Sequence, residues 1–136
     1  MRSQSVEIQV PFHDCDPVGI VWHGHYAKYF EVARCELLES FDYNYGQMRD
    51  SGYAWPVIDM QLRYAGFCEF GQRIRVTATL VDWEYRLKIK YLIEDLATGK
   101  RLTRGHTVQV VVGLESKEMC LVCPPVLAEK LGLPAP

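Results

Sequence analysis

The stretch YAKYFEVARCELLESF, residues 26–41, has apolar side chains at the spacing of an α-helix. They recur at i, i+3, i+4 and i+7, which places them on one stripe of a helix, while the charged residues lie off that stripe. A helix with so broad an aromatic face must bury it, so the sequence predicts one long helix packed against a sheet. The stripe consists of Tyr26, Tyr29, Phe30, Ala33, Leu37 and Phe41.

Alternating apolar and polar residues, the period of a half-buried strand, occur on both sides of this helix. One run precedes it, ending at Pro11. Four runs follow it, at residues 58–64, 74–80, 87–93 and 108–112. Turn residues between these four runs predict that they form an antiparallel meander. The sequence therefore predicts an α+β fold with five strands and one long helix, plus short helical pieces near residues 45–49 and 124–131.

The composition is that of one globular domain, since 136 residues with 49% hydrophobic residues can bury a core without metals or disulfides. Lys and Arg total 15 against 17 Asp and Glu, so the chain as a whole offers no attraction to nucleic acid. The first residues lack the apolar core of a signal peptide, and no apolar run approaches the ~20 residues that span a bilayer. We therefore expect a cytoplasmic protein without membrane insertion.

The cysteines predict reduced thiols, because they are five in number and scattered along the chain. Cys120 and Cys123 form a lone C-x-x-C, but a structural zinc site needs four ligands and no second pair lies in range. We interpret both as small core or surface thiols. We expect neither a metal site nor a cofactor.

The segment FHDCDPVGIVWHGHY, residues 12–26, gathers reactive side chains directly before the helix. A helix start presents unpaired N–H groups and a partial positive charge, which stabilise a developing oxyanion. A carboxylate in the preceding loop could attack a carbonyl polarised there, or activate water beside it. The residues also allow a structural reading: Asp16 before Pro17 is a common turn initiator, Asp14 could make an Asx-turn, and His23 could bond to backbone.

Two other reactive side chains favour structural roles. Cys15 lies between Asp14 and Asp16, so in an extended segment it points away from both, and the two carboxylates raise its pKa. His106 alternates with Val108 on a predicted strand, which favours a hydrogen-bonded core or interface histidine.

The run DCDPVGIVW at residues 14–22, followed by Tyr26 and by YFEVAR at residues 29–34, closely resembles the signature of the 4-hydroxybenzoyl-CoA thioesterase family. That family includes the Tol-Pal-associated acyl-CoA thioesterases. Its hotdog fold, an antiparallel sheet wrapped around one long helix, agrees with the predicted order of elements. Further along, Tyr64 and the pair Phe70-Gly71 also match the family pattern. The resemblance implies a single hotdog domain over residues 1–136 that acts on acyl-CoA as a homo-oligomer, dimer or tetramer, with its active site between subunits.

The resemblance also implies roles for individual residues of the loop. Asp16 falls on the catalytic carboxylate of the family, the second aspartate of its Asp-x-Asp motif. Gly19 falls on the glycine that lets the loop turn tightly past the thioester. The backbone N–H of His23 falls on the amide that polarises the thioester carbonyl, a role that does not need the imidazole. Glu31 and Arg34, three apart on the helix, are interpreted as a structural pair.

Substrate contacts are expected from aromatic residues and from one basic residue. Arg86 keeps the basic half of a family motif near the CoA nucleotide, although Leu87 replaces the serine that usually follows. Arg86 shares a strand face with Lys88 and Lys90, and a solvated basic face explains these three residues equally well. A partly aromatic acyl pocket is favoured by Trp22, Tyr26, Trp55 and Tyr64.

The expected reaction is hydrolysis of an acyl-CoA, with an aromatic or a short- or medium-chain acyl group, to a free acid and CoA. Asp16 acts in it as nucleophile or as general base, and the sequence leaves both roles open. Two alternatives also stay open. One is a non-catalytic acyl-CoA-binding or scaffold protein, and the other is a hotdog hydratase or dehydratase, which needs a histidine and a carboxylate poised across the acyl chain.

Overall fold

A computed structural model describes residues 2–136 as one long helix on a mainly five-stranded sheet. The first strand, β1 (Ser3–Gln9), leads through a 3-10 turn (Phe12–Asp14) to a second 3-10 turn (His23–His25) and helix α1 (Tyr26–Ser40). The elements that follow are α2 (Tyr45–Asp50), β2 (Tyr53–Ala54), β3 (Val57–Tyr64), β4 (Arg73–Asp82), β5 (Leu87–Asp95), β6 (Arg101–Gln109), β7 (Val112–Gly113) and α3 (Pro125–Leu131).

The five long strands form one antiparallel sheet in the order β1-β4-β5-β6-β3, and β2 pairs with β7 in a separate small sheet. The predicted α+β fold with five antiparallel strands and one long helix is confirmed. The prediction that the four later strands form a meander is wrong for β3, which pairs with β6 at the far edge. The loop 65–72 explains why β3 and β4 do not pair, because it does not close a hairpin. It runs beneath the segment before α1 instead, where the Cys68 carbonyl accepts the Val21 N–H at 2.9 Å.

The core lies between α1 and one face of the sheet. Alternate residues of β4 and β5 are buried there, as the period of two requires. Phe30 of α1 stacks on Tyr91 of β5, with ring centroids 4.4 Å apart and planes 7° from parallel. Full burial of a side chain such as Phe30 contributes about 2 kcal/mol, so the aromatic stripe of the helix fixes α1 on the sheet.

Gly105 on β6 lets the edge strand β3 approach closely. A Cβ at this position would lie 2.0 Å from the Gln61 carbonyl oxygen of β3 and 2.9 Å from the Phe30 ring. Only a residue without a side chain fits there. The glycine therefore determines where β3, and with it Tyr64 at its end, lies relative to α1.

Strand β3 is an edge strand with apolar side chains in solvent. Ile58 is 62% exposed, Met60 38% and Tyr64 40%. Unpaired edges of this kind are normally covered or paired. Within residues 2–136, the helices are all too short or too polar to cross a bilayer.

Candidate active site

Asp16 lies at the start of a tight turn that the loop makes before α1. Its N–H donates to the Ile20 carbonyl at 2.8 Å, and the Gly19 N–H donates to the Asp16 carbonyl at 2.9 Å. Gly19 has φ +90°, a conformation that glycine adopts without strain. The Val18 N–H donates to Asp16 Oδ1 at 2.9 Å, so the Asx-turn expected at Asp14 is formed by Asp16. Among the described residues nothing donates to Asp16 Oδ2, which leaves that oxygen for chemistry.

Asp14 is a buried anchor between the loop and the helix. Its carboxylate accepts hydrogen bonds from Lys28 Nζ at 2.5 Å and from the Tyr29 hydroxyl at 2.7 Å. Burial alone raises the pKa of this carboxyl, but the bonds from Lys28 and Tyr29 outweigh burial and hold the pKa below its ordinary value of 3.8. The sequence predicts only an Asx-turn for Asp14; Lys28 beside Tyr29 in the first turn of α1 is the signal that points to a buried acidic partner.

The start of α1 presents free amide donors. The Trp22 N–H donates to the Asp14 carbonyl and the His25 N–H to the Trp22 carbonyl. In contrast, the N–H groups of His23 and Gly24 have no acceptor within residues 2–136. The partial positive charge of a 15-residue helix adds to these donors. This end of the helix can therefore bind an oxyanion.

A pocket of about 200 Å³ brings most of the predicted site residues together. The Trp22 ring forms one wall of the pocket. It lies directly against Gly24, where a Cβ would come within 2.2 Å of the indole, so only glycine leaves room for the ring in this position. Phe67, 62% exposed, also lines the pocket. It was not predicted, since a single aromatic residue in a loop gives no periodic signal. The pocket is lined by Asp16, Ile20, Val21, Trp22, His23, Tyr26, Tyr64 and Phe67.

Two residues expected near the substrate lie elsewhere in the chain. Arg86 forms an ion pair with Asp82, Nε to Oδ2 3.1 Å, just before β5. The pocket lies at the other end of the sheet, where Tyr64 pairs with Thr103, so Arg86 is roughly 20 Å away along the strand. Trp55 is buried and packs edge-on against Tyr43, with centroids 6.1 Å apart, and does not line the pocket.

The remaining reactive side chains have structural partners. Glu31 and Arg34 form the predicted ion pair on α1. His106 lies on the outer face of the sheet, with Nε2 3.1 Å from Asp59 Oδ2. The pKa of the Cys15 thiol is raised by burial and then by the charges of the two flanking carboxylates, so Cys15 is a poor nucleophile.

Other potential sites lack the combination of a carboxylate and free backbone N–H donors that is seen at the start of α1. The five cysteines are free thiols. No cluster of three or more metal-binding side chains occurs within residues 2–136. A larger groove, about 550 Å³, lies on the outer face of the sheet among basic and polar side chains such as Lys90 and Arg104, away from the helix start.

Comparison with known proteins identifies the family. The profile described as the thioesterase-like superfamily matches residues 10–131. A protein of Aquifex aeolicus strain VF5, named provisionally as an esterase, is 30% identical over 104 residues, which cover 74% of this chain and 81% of that protein. The chain therefore belongs to the thioesterase-like superfamily.

Solved structures agree with the fold. A DHNA-CoA thioesterase from Staphylococcus aureus superposes with a TM-score of 0.85 at 24% identity, covering 97% of this chain and 90% of that one. A 4-hydroxybenzoyl-CoA thioesterase variant in complex with 4-hydroxybenzoyl-CoA superposes with a TM-score of 0.82 at 15% identity, covering 96% and 99%. The hotdog fold and the resemblance to this family are confirmed.

Proposed function

We propose that the protein is an acyl-CoA thioesterase that hydrolyses an acyl-CoA to a free acid and CoA. One observation carries the proposal: the carboxylate of Asp16, with Oδ2 free, and the unpaired N–H of His23 border the same pocket at the start of α1. A carboxylate and an oxyanion donor in one pocket are the two groups that acyl transfer to water requires. Membership of the thioesterase-like superfamily supports the assignment.

In the proposed mechanism the thioester carbonyl oxygen accepts the His23 N–H, and the helix dipole stabilises the charge that develops on it. As a nucleophile, Asp16 attacks the carbonyl carbon, the C–S bond breaks, and CoA leaves as a thiolate. Water then hydrolyses the mixed anhydride. As a general base, Asp16 instead takes a proton from the water that attacks the same carbon, and the C–S bond of the tetrahedral intermediate then breaks to release the acid and CoA. The bond from the Val18 N–H holds the carboxylate in either case.

The acyl group is proposed to lie against the aromatic walls formed by Trp22, Tyr26 and Tyr64. These walls suit an aromatic or a short- to medium-chain acyl group. Two structural neighbours are named for aromatic acyl-CoA substrates, DHNA-CoA and 4-hydroxybenzoyl-CoA. None of the proposed steps uses a cofactor. Action in the cytoplasm, and a role for Arg86 near the CoA nucleotide, stay predictions.

A homo-oligomer, dimer or tetramer, is proposed as the active form. The exposed apolar side chains on the open edge of β3 support this proposal. The end of β3 reaches the pocket through Tyr64, so a second copy paired at this edge would lie beside the substrate.

A panel of acyl-CoA esters tests the activity. Release of free thiol, followed with a thiol reagent for aromatic, short and medium acyl groups, is the expected result. Binding of acyl-CoA by calorimetry without thiol release would make the protein a carrier or scaffold and would overturn the proposal.

A hydratase is the second candidate, because His23 and Asp16 line the same pocket and could act together as acid and base. The same panel, extended with enoyl-CoA esters, decides between the two. Loss of the enoyl absorbance without thiol release would indicate hydration. Thiol release, with any fall in the enoyl absorbance matched by the thiol released, supports hydrolysis.

A further inference from the structure

We propose that Tyr64 is a positioning residue that holds the peptide group between His23 and Gly24, and with it the amide donors at the start of α1, in place for the reaction. This inference rests on the proposed thioesterase function. The Tyr64 hydroxyl donates to the His23 carbonyl oxygen at 2.6 Å, across 41 residues of sequence. The phenolic proton is therefore engaged by the backbone of the helix start and not by the substrate.

The turn that carries His23 has few other restraints. Trp22, the residue that caps this turn, makes no side-chain capping bond, and the N–H groups of His23 and Gly24 have no acceptor among the residues described. An oxyanion donor stabilises charge best when it is already oriented before the reaction. The bond from Tyr64 fixes the peptide after His23 and polarises its N–H, which belongs to Gly24.

Tyr64 itself is held from two sides. Its backbone pairs with Thr103 of β6, and the next N–H, that of Ala65, donates to the Leu102 carbonyl at 3.0 Å. Its ring meets the buried Tyr26 edge-on, with centroids 5.0 Å apart. The Tyr26 hydroxyl in turn accepts the Cys68 N–H at 2.9 Å. The hydrogen bond from the Tyr64 hydroxyl thus fixes the start of α1 relative to the sheet.

The phenol remains a donor throughout the neutral range. Burial raises the pKa of Tyr64, so its proton stays in place. Removal of the hydroxyl should therefore change the rate without changing the shape of the pH profile.

The variant Tyr64→Phe tests the inference, because it keeps the ring and its contact with Tyr26 and deletes only the hydroxyl. We expect kcat to fall roughly 10-fold, less than for loss of the donor itself. We expect KM, and the Kd of a non-hydrolysable acyl-CoA thioether, to change less than about 2-fold. Tyr85→Phe is the control, since Tyr85 is 61% exposed and lies outside the pocket, and it should leave kcat unchanged.

If Tyr64→Phe keeps the wild-type kcat while Asp16→Asn is inactive, the inference about Tyr64 is wrong and the proposed function stands. No thiol release by the wild-type protein from any acyl-CoA overturns the proposed function and the inference with it. NMR of the wild-type protein gives a readout that does not depend on the variant folding. A Tyr64 hydroxyl proton that is protected from exchange is expected, and a hydroxyl that exchanges freely with solvent overturns the inference.

Discussion

Asp14 and Asp16 are separated by one residue and have opposite surroundings. Asp14 is buried and receives two side-chain hydrogen bonds from α1, whereas Asp16 is partly exposed in the pocket and receives one bond from the backbone of its own turn. A carboxylate that reacts must reach substrate, and one that stabilises must reach partners. The first role fits Asp16 and the second fits Asp14.

The variant Asp16→Asn keeps the side chain's size and removes the charge that both mechanisms require. We expect kcat to fall at least about 10²-fold, a barrier increase of ~2.7 kcal/mol. Substrate binding should change much less, because the pocket walls remain. Steady-state thiol release and acyl-CoA binding measure the two effects. If Asp16→Asn is active and Asp14→Asn is inactive but folded, the two roles are reversed, and if both are active the carboxylate mechanism is wrong.

Asp14→Asn should lower stability, by about 1–3 kcal/mol at neutral pH, because a buried acceptor of two bonds loses its charge. The folded-state pKa of Asp14 is below 3.8. Its contribution is therefore fully present above about pH 4, and it is lost as the pH falls through the folded-state pKa. Urea unfolding of both proteins between pH 7 and pH 3 should show the difference in unfolding free energy shrinking with acid. A difference that is constant with pH would contradict this role.

At the scale of elements, the contact between β3 and β6 depends on Gly105. Gly105→Ala places a Cβ against the backbone oxygen of Gln61, so β3 must move. We expect a loss of about 1–3 kcal/mol in unfolding free energy, as for other overpacked sites. Gly46→Ala is the control, because its Cβ would lie 3.4 Å from Asn44 Oδ1 and α2 favours alanine. Equal stability of the two variants would show that β3 is free to shift.

The positions of the strands could be predicted where burial of one face sets the apolar pattern. Which strands pair with each other could not be predicted. Residues 74–80 and 87–93 alternate because one face of β4 and β5 packs under α1. The same alternation in residues 58–64 says nothing about which strand β3 joins, since a period of two is the same at either edge. The loop motif placed Asp16 and His23 in one pocket. It could not show that Asp14 is buried, because its partners come from the next element.

At the scale of the whole molecule, the open edge of β3 predicts self-association. Sedimentation at micromolar concentration should give a mass at least twice the 15.7 kDa of one chain. Ile58→Asp places a charge on the exposed edge and should shift the protein towards the monomer. Leu121→Asp, which changes a residue that is 79% exposed outside the sheet, is the control and should leave the mass unchanged. A monomeric wild-type protein would contradict the prediction.

The order of the strands has a consequence for how the chain acquires its activity. The pocket needs Tyr64 beside His23, and Tyr64 is held there by β6, which follows it by two intervening strands. Pairings between such distant segments form slowly, because a long loop must close before any contact is gained. A chain still emerging from the ribosome therefore has Asp16 and the first turn of α1 long before it can hold them together. The proposed site is therefore complete only when β6 has paired with β3, and an N-terminal fragment that ends before β6 would lack the strand that holds Tyr64 beside His23.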